Sequence, residues 1–516
     1  MGSRRALCVC LALSVAGCVG AQSDEGATVE ALTTTTTSDG MPATTTSLSL
    51  VSRDDSGEVQ TIAQGVAVTA LKQPSNHPFF KSFGTNERAC IHCHVPAAGW
   101  TITPEVVQLR FTNPLQPDNL DCLRDPYKCK AEHDDKQFGL DPLFRLVDGA
   151  NSPNADVSTT QKRLKAYSML LDHAVIRIGL AIPATAEFTL QSVEDPYHFA
   201  SAAELSLYRR PLPTTNLGTG AGATTLSTVM WDGRENVAGQ AIALDLNTQA
   251  NDATVMHAQA LSALSATDRA AIVAFETSLH TAQLSDEKAG SLDIGGANGG
   301  PAALAQQDFY LGINDVLAGD SKTGALFSST VFDLYTAWNN ADKTYGQRGH
   351  GCDNRNQDEA RASIARGEAL FNGKAISITG VAGLNDALAK PTISGTCTTC
   401  HDSPNYGHHS VALPLNIGIA DASRRTSDMP LYTLRNKTTG ATVQTTDPGR
   451  ALVTGHWADV GKFKGPILRG IAGRAPYFHN GSAAGVSDVV DFYDTRFNIG
   501  FTTQEKRDLE AFLKSL

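Results

Sequence analysis

The chain has 516 residues, 41% hydrophobic and 18% charged, a globular composition with length enough for two or three cores. Its formal net charge of -11 and the lack of any Lys/Arg run argue against nucleic acid or an anionic membrane surface as the main partner.

In chain order, Arg4 and Arg5 precede an apolar run, residues 6–16, which is too short to span a bilayer and suits a signal segment. Val15-Ala16-Gly17-Cys18 then resembles the lipobox of bacterial lipoproteins. Residues 1–17 are thus expected to be a lipoprotein signal peptide, with Cys18 as lipid anchor of a periplasmic protein. Cleavage after Ala21 is the competing reading and would release a secreted chain. Residues 18–60, with the run Thr33 to Thr37, read as a disordered Thr/Ser-rich tether.

An aromatic cluster, Phe79, Phe80 and Phe83, comes just before Cys90-Ile91-His92-Cys93-His94, and a second motif of the same form is Cys397-Thr398-Thr399-Cys400-His401. Two thiols three residues apart can add to the two vinyl groups of one haem, and the adjacent histidine can ligate the iron. Two covalently bound haem c groups are expected, held by Cys90, Cys93 and His94 and by Cys397, Cys400 and His401. A zinc site would need a second ligand pair near each motif, and none is there. Of the other mature cysteines, Cys122 and Cys129 suit a disulfide in an oxidising compartment, and Cys352 has no assigned role.

Roughly 300 residues separate the motifs, more than a minimal cytochrome domain needs, so the N-terminal half must carry long insertions. Residues 161–171, 258–282 and 358 onward read as helices, 211–222 and 285–301 as loops, and strand signals are scarce. Ile364, Gly367, Leu370 and Phe371 share one helix side, where the glycine permits close crossing by another helix. The final helix carries Leu509, Phe512, Leu513 and Leu516 on one face, with Thr502 and Glu505 spaced as a capping box. First and last helices around a CxxCH form the core of a class I cytochrome c. The expected architecture is mainly α: two such domains, 61–345 and 346–516, with long insertions in the first.

A mid-chain group, Arg209-Arg210-Pro211-Leu212-Pro213 with Asn216, then Trp231-Asp232-Gly233-Arg234, then Gln240-Ala241, resembles the bacterial di-haem cytochrome c peroxidases and MauG. Lys464 to Arg469, Ala475-Pro476-Tyr477-Phe478-His479-Asn480-Gly481 and Asp488 to Tyr493 extend that resemblance to the C-terminus. It implies that Trp231 relays electrons between the haems, with Arg234 and Gln249 as further catalytic residues. It implies a reactive haem on His94, an electron-transfer haem on His401, and a calcium ion near Asn216 and the backbone of residues 474–476, where Arg474 replaces the usual threonine. For the sixth ligand of the His401 iron, His479 resembles the ligand of di-haem rubber oxygenases and is preferred, then Tyr493, then Met429. A hydrogen bond to a haem propionate is the other role open to His479. For the first iron His133, His173, His198 and His257 remain open.

The family's distal glutamate is missing from residues 245–252, where Gln249 and Asn251 could only hydrogen-bond and Asp245 or Asp252 could substitute. His408 and His409 read as surface or propionate contacts, and Trp100 and Trp457 as haem-packing residues. The expected partners are a small redox protein or quinol-linked donor and a small-molecule oxidant, with no nucleic acid and with a membrane only through the lipid anchor. A non-catalytic electron carrier, or an oxygenase acting on an organic substrate, is the alternative.

Overall fold

A computed structural model describes residues 47–113, 139–147, 151–217, 229–235, 242–307, 310, 312–341, 353–403, 414–426 and 428–516. The signal and lipobox with Cys18, the Cys122–Cys129 pair, His133, Gln240-Ala241, Cys352, His408 and His409 lie outside the described residues.

Eleven strands run through the described residues: β1 (Ser47–Arg53), β2 (Gly57–Gln64), β3 (Ile176–Leu180), β4 (Phe188–Glu194), β5 (Leu205–Arg209), β6 (Leu279–Asp286), β7 (Gly290–Ser291), β8 (Ile376–Thr379), β9 (Thr392–Gly395), β10 (Leu431–Asn436) and β11 (Thr442–Thr445). They form four antiparallel sheets, ordered β1-β2-β6-β7, β11-β10-β4, β3-β5 and β8-β9. The mainly helical expectation is therefore corrected, since the chain is 35% helix and 20% strand. Short strands with one half-exposed face give a weak pattern in sequence. β2 buries every second residue, yet Gly57, Thr61 and Ala63 on that face carry little hydrophobic signal. The expected tether also shortens, because residues 47–60 include β1 and the start of β2.

The helices that position the CxxCH motifs are α1 (Val66–Lys72), α2 (Ala266–Glu276), α3 (Asp353–Gly373), α4 (Val486–Phe497) and α5 (Thr503–Lys514). The expected helix over 258–282 is confined to α2, and β6 follows it. Around the first motif, α1 packs on α2, and Phe79 meets Phe275 at 4.7 Å between ring centroids. β2 joins this core through Thr61, whose hydroxyl accepts the Trp100 indole N–H at 2.9 Å.

Around the second motif α3 crosses α5. A Cβ at Gly367 would lie 1.9 Å from the Asp508 carbonyl oxygen, so only glycine allows this approach. Ile364, Phe371, Leu509, Phe512 and Leu513 are buried in the crossing, each contributing roughly 1.5–3 kcal/mol. Asp508 is held from α3 by Ser363 Oγ at 2.6 Å and Arg366 Nε at 2.9 Å. The capping box begins α5 as expected: Thr502 Oγ1 accepts the Glu505 N–H at 3.2 Å and Glu505 Oε2 accepts the Thr502 N–H at 2.8 Å.

Candidate functional site

The first motif folds as a single 3-10 turn, Cys90–His92, closed by Cys93 N–H and His94 N–H donating to Cys90 O at 3.1 Å each. The chain then doubles back, with Val95 N–H donating to Thr101 O and Trp100 N–H to Val95 O, both at 2.9 Å. This returns the Trp100 carbonyl to His94, whose Nδ1 lies 3.2 Å from it. With Nδ1 donating, Nε2 keeps its lone pair for a metal. Burial pushes the His94 imidazolium down to about 4, so the ring is neutral at physiological pH.

Glu276, at the end of α2, had no sequence signal. It is 3% exposed, its Oε2 has no hydrogen-bond partner, and burial pushes its carboxyl up to about 8. It lies close enough to Cys90 to add to the effect of burial in raising that thiol. At neutral pH Glu276 is therefore a protonated acid beside the first attachment site. Of the four histidines considered for the first iron, His257 is close enough for its charge to bear on His94. His173 instead faces the Gly481 carbonyl, with Nδ1 at 3.1 Å.

The second motif repeats the turn, Cys397–Thr399, with His401 N–H donating to Cys397 O at 3.0 Å. His401 packs on Phe371 at 5.9 Å, burial pushes its imidazolium down to about 4, and its Nδ1 has no hydrogen-bond partner. Cys397, Cys400 and His401 open onto an apolar cavity. Phe371, Ile376, Tyr493, Leu509 and Leu513 line one part of it, and Trp231, Arg210, Lys464 and Arg474 another. Two thiols, an imidazole, apolar walls and buried cations fit a porphyrin carrying two carboxylates. Burial pushes the Lys464 ammonium down to about 7.

Tyr493 lies on the wall of this cavity, packed against Phe497 and Phe492. His479 is fully buried just behind that wall: it stacks on Phe463 at 4.1 Å and lies 6.3 Å from Trp231, both of which line the cavity, its ring nitrogens have no hydrogen-bond partner, and its Nε2 is 3.9 Å from Asp447. Met429 sits in a separate core with Met169, Val175 and Tyr208.

Trp231 is held by its indole N–H donating to Arg210 O at 2.8 Å. That segment also touches the first motif, for Thr101 Oγ1 donates to Pro211 O at 2.6 Å and Thr214 N–H to Trp100 O at 3.3 Å. The indole thus stands on the second cavity's wall while anchored to chain that borders the first motif. Asp232 next to it belongs to a buried ionic network. Arg209 Nη1 reaches Asp232 at 2.5 Å, and Arg209 Nε reaches Asp447 at 2.7 Å. Burial alone would raise the Asp232 carboxyl, but Arg209 and Arg234 hold it well below the usual carboxylate range.

Arg234, expected to be catalytic, is engaged with Asp232 at 3.2 Å, a bracing position. Gln249 is half-buried on the helix Ile242–Met256. On that helix the fully buried Asp245 and the half-buried Asp252 face Glu235, whose carboxyl burial and Asp252 push up to about 7. Asn216, expected near calcium, is engaged by the backbone of β6. Its Oδ1 already accepts the Thr281 N–H at 2.7 Å, and its Nδ2 donates to Thr281 O at 2.7 Å. Of the two tryptophans expected to pack on haem, Trp100 meets His94 through its carbonyl and Phe79 through its ring, whereas Trp457 packs on Phe188.

No protein-family model matches the chain. Over 186 residues it is 30% identical to a cytochrome-c peroxidase IdrP1 of Pseudomonas sp. (strain SCT), covering 32% of this chain and 42% of the relative. Over 171 residues it is 29% identical to a protein of the same name from Denitromonas iodatirespirans, covering 30% and 40%. The matches therefore span about two fifths of these relatives' length. A solved MauG-like protein associated with microbial copper homeostasis is 19% identical, with TM-score 0.28 over 61% of this chain and 75% of that one. Kuenenia stuttgartiensis hydrazine synthase is 12% identical, with TM-score 0.30 over 63% and 76%. Neither superposition is close enough to define the fold. The resemblance read from the motifs is borne out in sequence: over about a third of its length the chain is similar to proteins named cytochrome-c peroxidase.

Proposed function

We propose that the chain is an exported di-haem c-type oxidoreductase of peroxidase type, acting on peroxide or dioxygen. Cys90, Cys93 and His94 hold one haem, and Cys397, Cys400 and His401 hold the other. When bound, these groups supply one-electron redox chemistry and a site for a small oxidant. The observation that carries the reading is the pair of CxxCH turns, each with a neutral buried histidine, with Trp231 on the wall of the second site and hydrogen-bonded to Arg210.

The chain's own residues divide the work. Trp231 offers an aromatic stepping stone that shortens the path for charge between the two sites, and Arg209, Asp232 and Asp447 brace it. Tyr493, on the wall beside His401, would be the further side chain holding the haem there, which would leave that site to electron storage. On the first side Glu276 holds a proton in an apolar wall and supplies the carboxylic acid missing from residues 245–252. The signal over residues 1–17 directs the protein to the periplasm with Cys18 as anchor, and a small redox protein or quinol-linked donor provides electrons there.

A non-catalytic carrier is the second reading, to which His257, close enough for its charge to bear on His94, would contribute if it also held the first haem. One experiment decides. Reduce the purified holoprotein, add carbon monoxide or peroxide, and record the haem spectrum. A shift at one haem is expected, and no shift at either would leave only the carrier.

A further inference from the structure

The wall of the second cavity carries a cation that the protein does not pair. Arg474 is 6% exposed, and its Nε donates to Gly99 O at 3.2 Å, beside the first motif. Its Nη1 and Nη2 are buried with no hydrogen-bond partner. Burial pushes the guanidinium down to about 9, which still leaves it charged at neutral pH. Arg210 beside it is engaged throughout, donating to Ile102 O at 2.8 Å, to Arg474 O at 2.9 Å and to His173 O at 3.3 Å. A buried charged donor with orphaned N–H groups costs several kcal/mol unless an anion meets it. The cavity that Arg474 faces is the one lined by Cys397, Cys400 and His401.

A divalent cation does not fit here. The Asn216 carboxamide oxygen is already an acceptor for Thr281, the Arg474 carbonyl is already an acceptor for Arg210, and a fixed positive charge stands alongside. Among the described residues no group of three His, Cys, Asp or Glu side chains could hold a metal.

We propose that the Arg474 guanidinium anchors a carboxylate of the haem bound at Cys397 and Cys400, and so supplies from the chain the positive charge that calcium would otherwise bring between the two sites. The proposal rests on the di-haem reading above. The guanidinium suits a carboxylate, which it can meet with two parallel N–H groups. Through Gly99 it also ties that carboxylate to the backbone of the first motif.

The test uses purified holoprotein, with two haems per chain first verified by pyridine haemochrome. Fewer than two would defeat the di-haem reading itself, independently of Arg474. Calcium content by mass spectrometry and Tm with and without EDTA come next, on the unaltered chain. No stoichiometric calcium and no change in Tm are expected; one calcium per chain, with a lower Tm on chelation, would overturn the proposal. Arg474→Met, which leaves the carboxylate uncompensated and so favours the oxidised iron, should lower the midpoint potential of one haem. The reduction equilibrium should change by about tenfold, or 59 mV for a one-electron couple. Arg474→Lys should restore most of it. If Arg474→Met keeps both haems with both potentials unmoved, the anchor does not exist.

Discussion

Replacing Glu276 by Gln should change stability in a way that depends steeply on pH. The Glu276 carboxyl is 3% exposed and raised by burial from an ordinary 4.5 to about 8. A group raised in the folded state contributes stability that is fully present below its unfolded value and lost as pH climbs through the folded one. Each pH unit in that interval removes ~1.4 kcal/mol, or about 4–5 kcal/mol over the whole span at full burial. Gln keeps the shape and the donor of the protonated acid and cannot ionise. At pH 5 the two proteins should therefore differ by about 1 kcal/mol or less, whereas at pH 8.5 Glu276→Gln should be the more stable by a few kcal/mol. Urea unfolding of the holoproteins at both pH values, followed by far-UV circular dichroism, measures this. A difference that stays constant from pH 5 to 8.5 would show that Glu276 is not held as a buried neutral acid.

Gly367→Ala places a methyl 1.9 Å from Asp508 O; overpacking of ~1–3 kcal/mol outweighs a helix-propensity gain of up to ~1 kcal/mol, so Tm should fall. Asp447→Asn breaks the buried Arg209 pair and should cost about 3–5 kcal/mol in urea unfolding at neutral pH. Tyr493→Phe should alter the oxidised spectrum of the haem at His401 while His479→Ala leaves it unchanged; the opposite pattern would return the sixth position to His479.

The legible part of the sequence was local. The two CxxCH turns, the α5 capping box and the glycine at the α3–α5 crossing each follow from spacing within a dozen residues, and the structure has all three. Long-range pairings were hidden. β4 and β10 pair Glu194 with Leu431, and neither strand shows that in its own residues. Glu276 was missed, and Arg474 was noticed only as a replaced threonine, for a related reason. Glutamate and arginine are normally solvated, and only tertiary packing reveals one that is sealed in without a full set of partners. The motif match on Arg234 likewise says nothing of the pairing with Asp232, two residues away, that the structure shows.

The sheet β11-β10-β4 has a mechanical consequence. It sews a strand from the half of the chain that follows the first motif to two strands that follow the second. Sliding or opening one half against the other would have to rupture a ladder of backbone hydrogen bonds together. Movement between these two segments is thereby restricted to side chains and connecting loops, and on the proposed function the distance between the two haem sites would stay fixed from one cycle to the next.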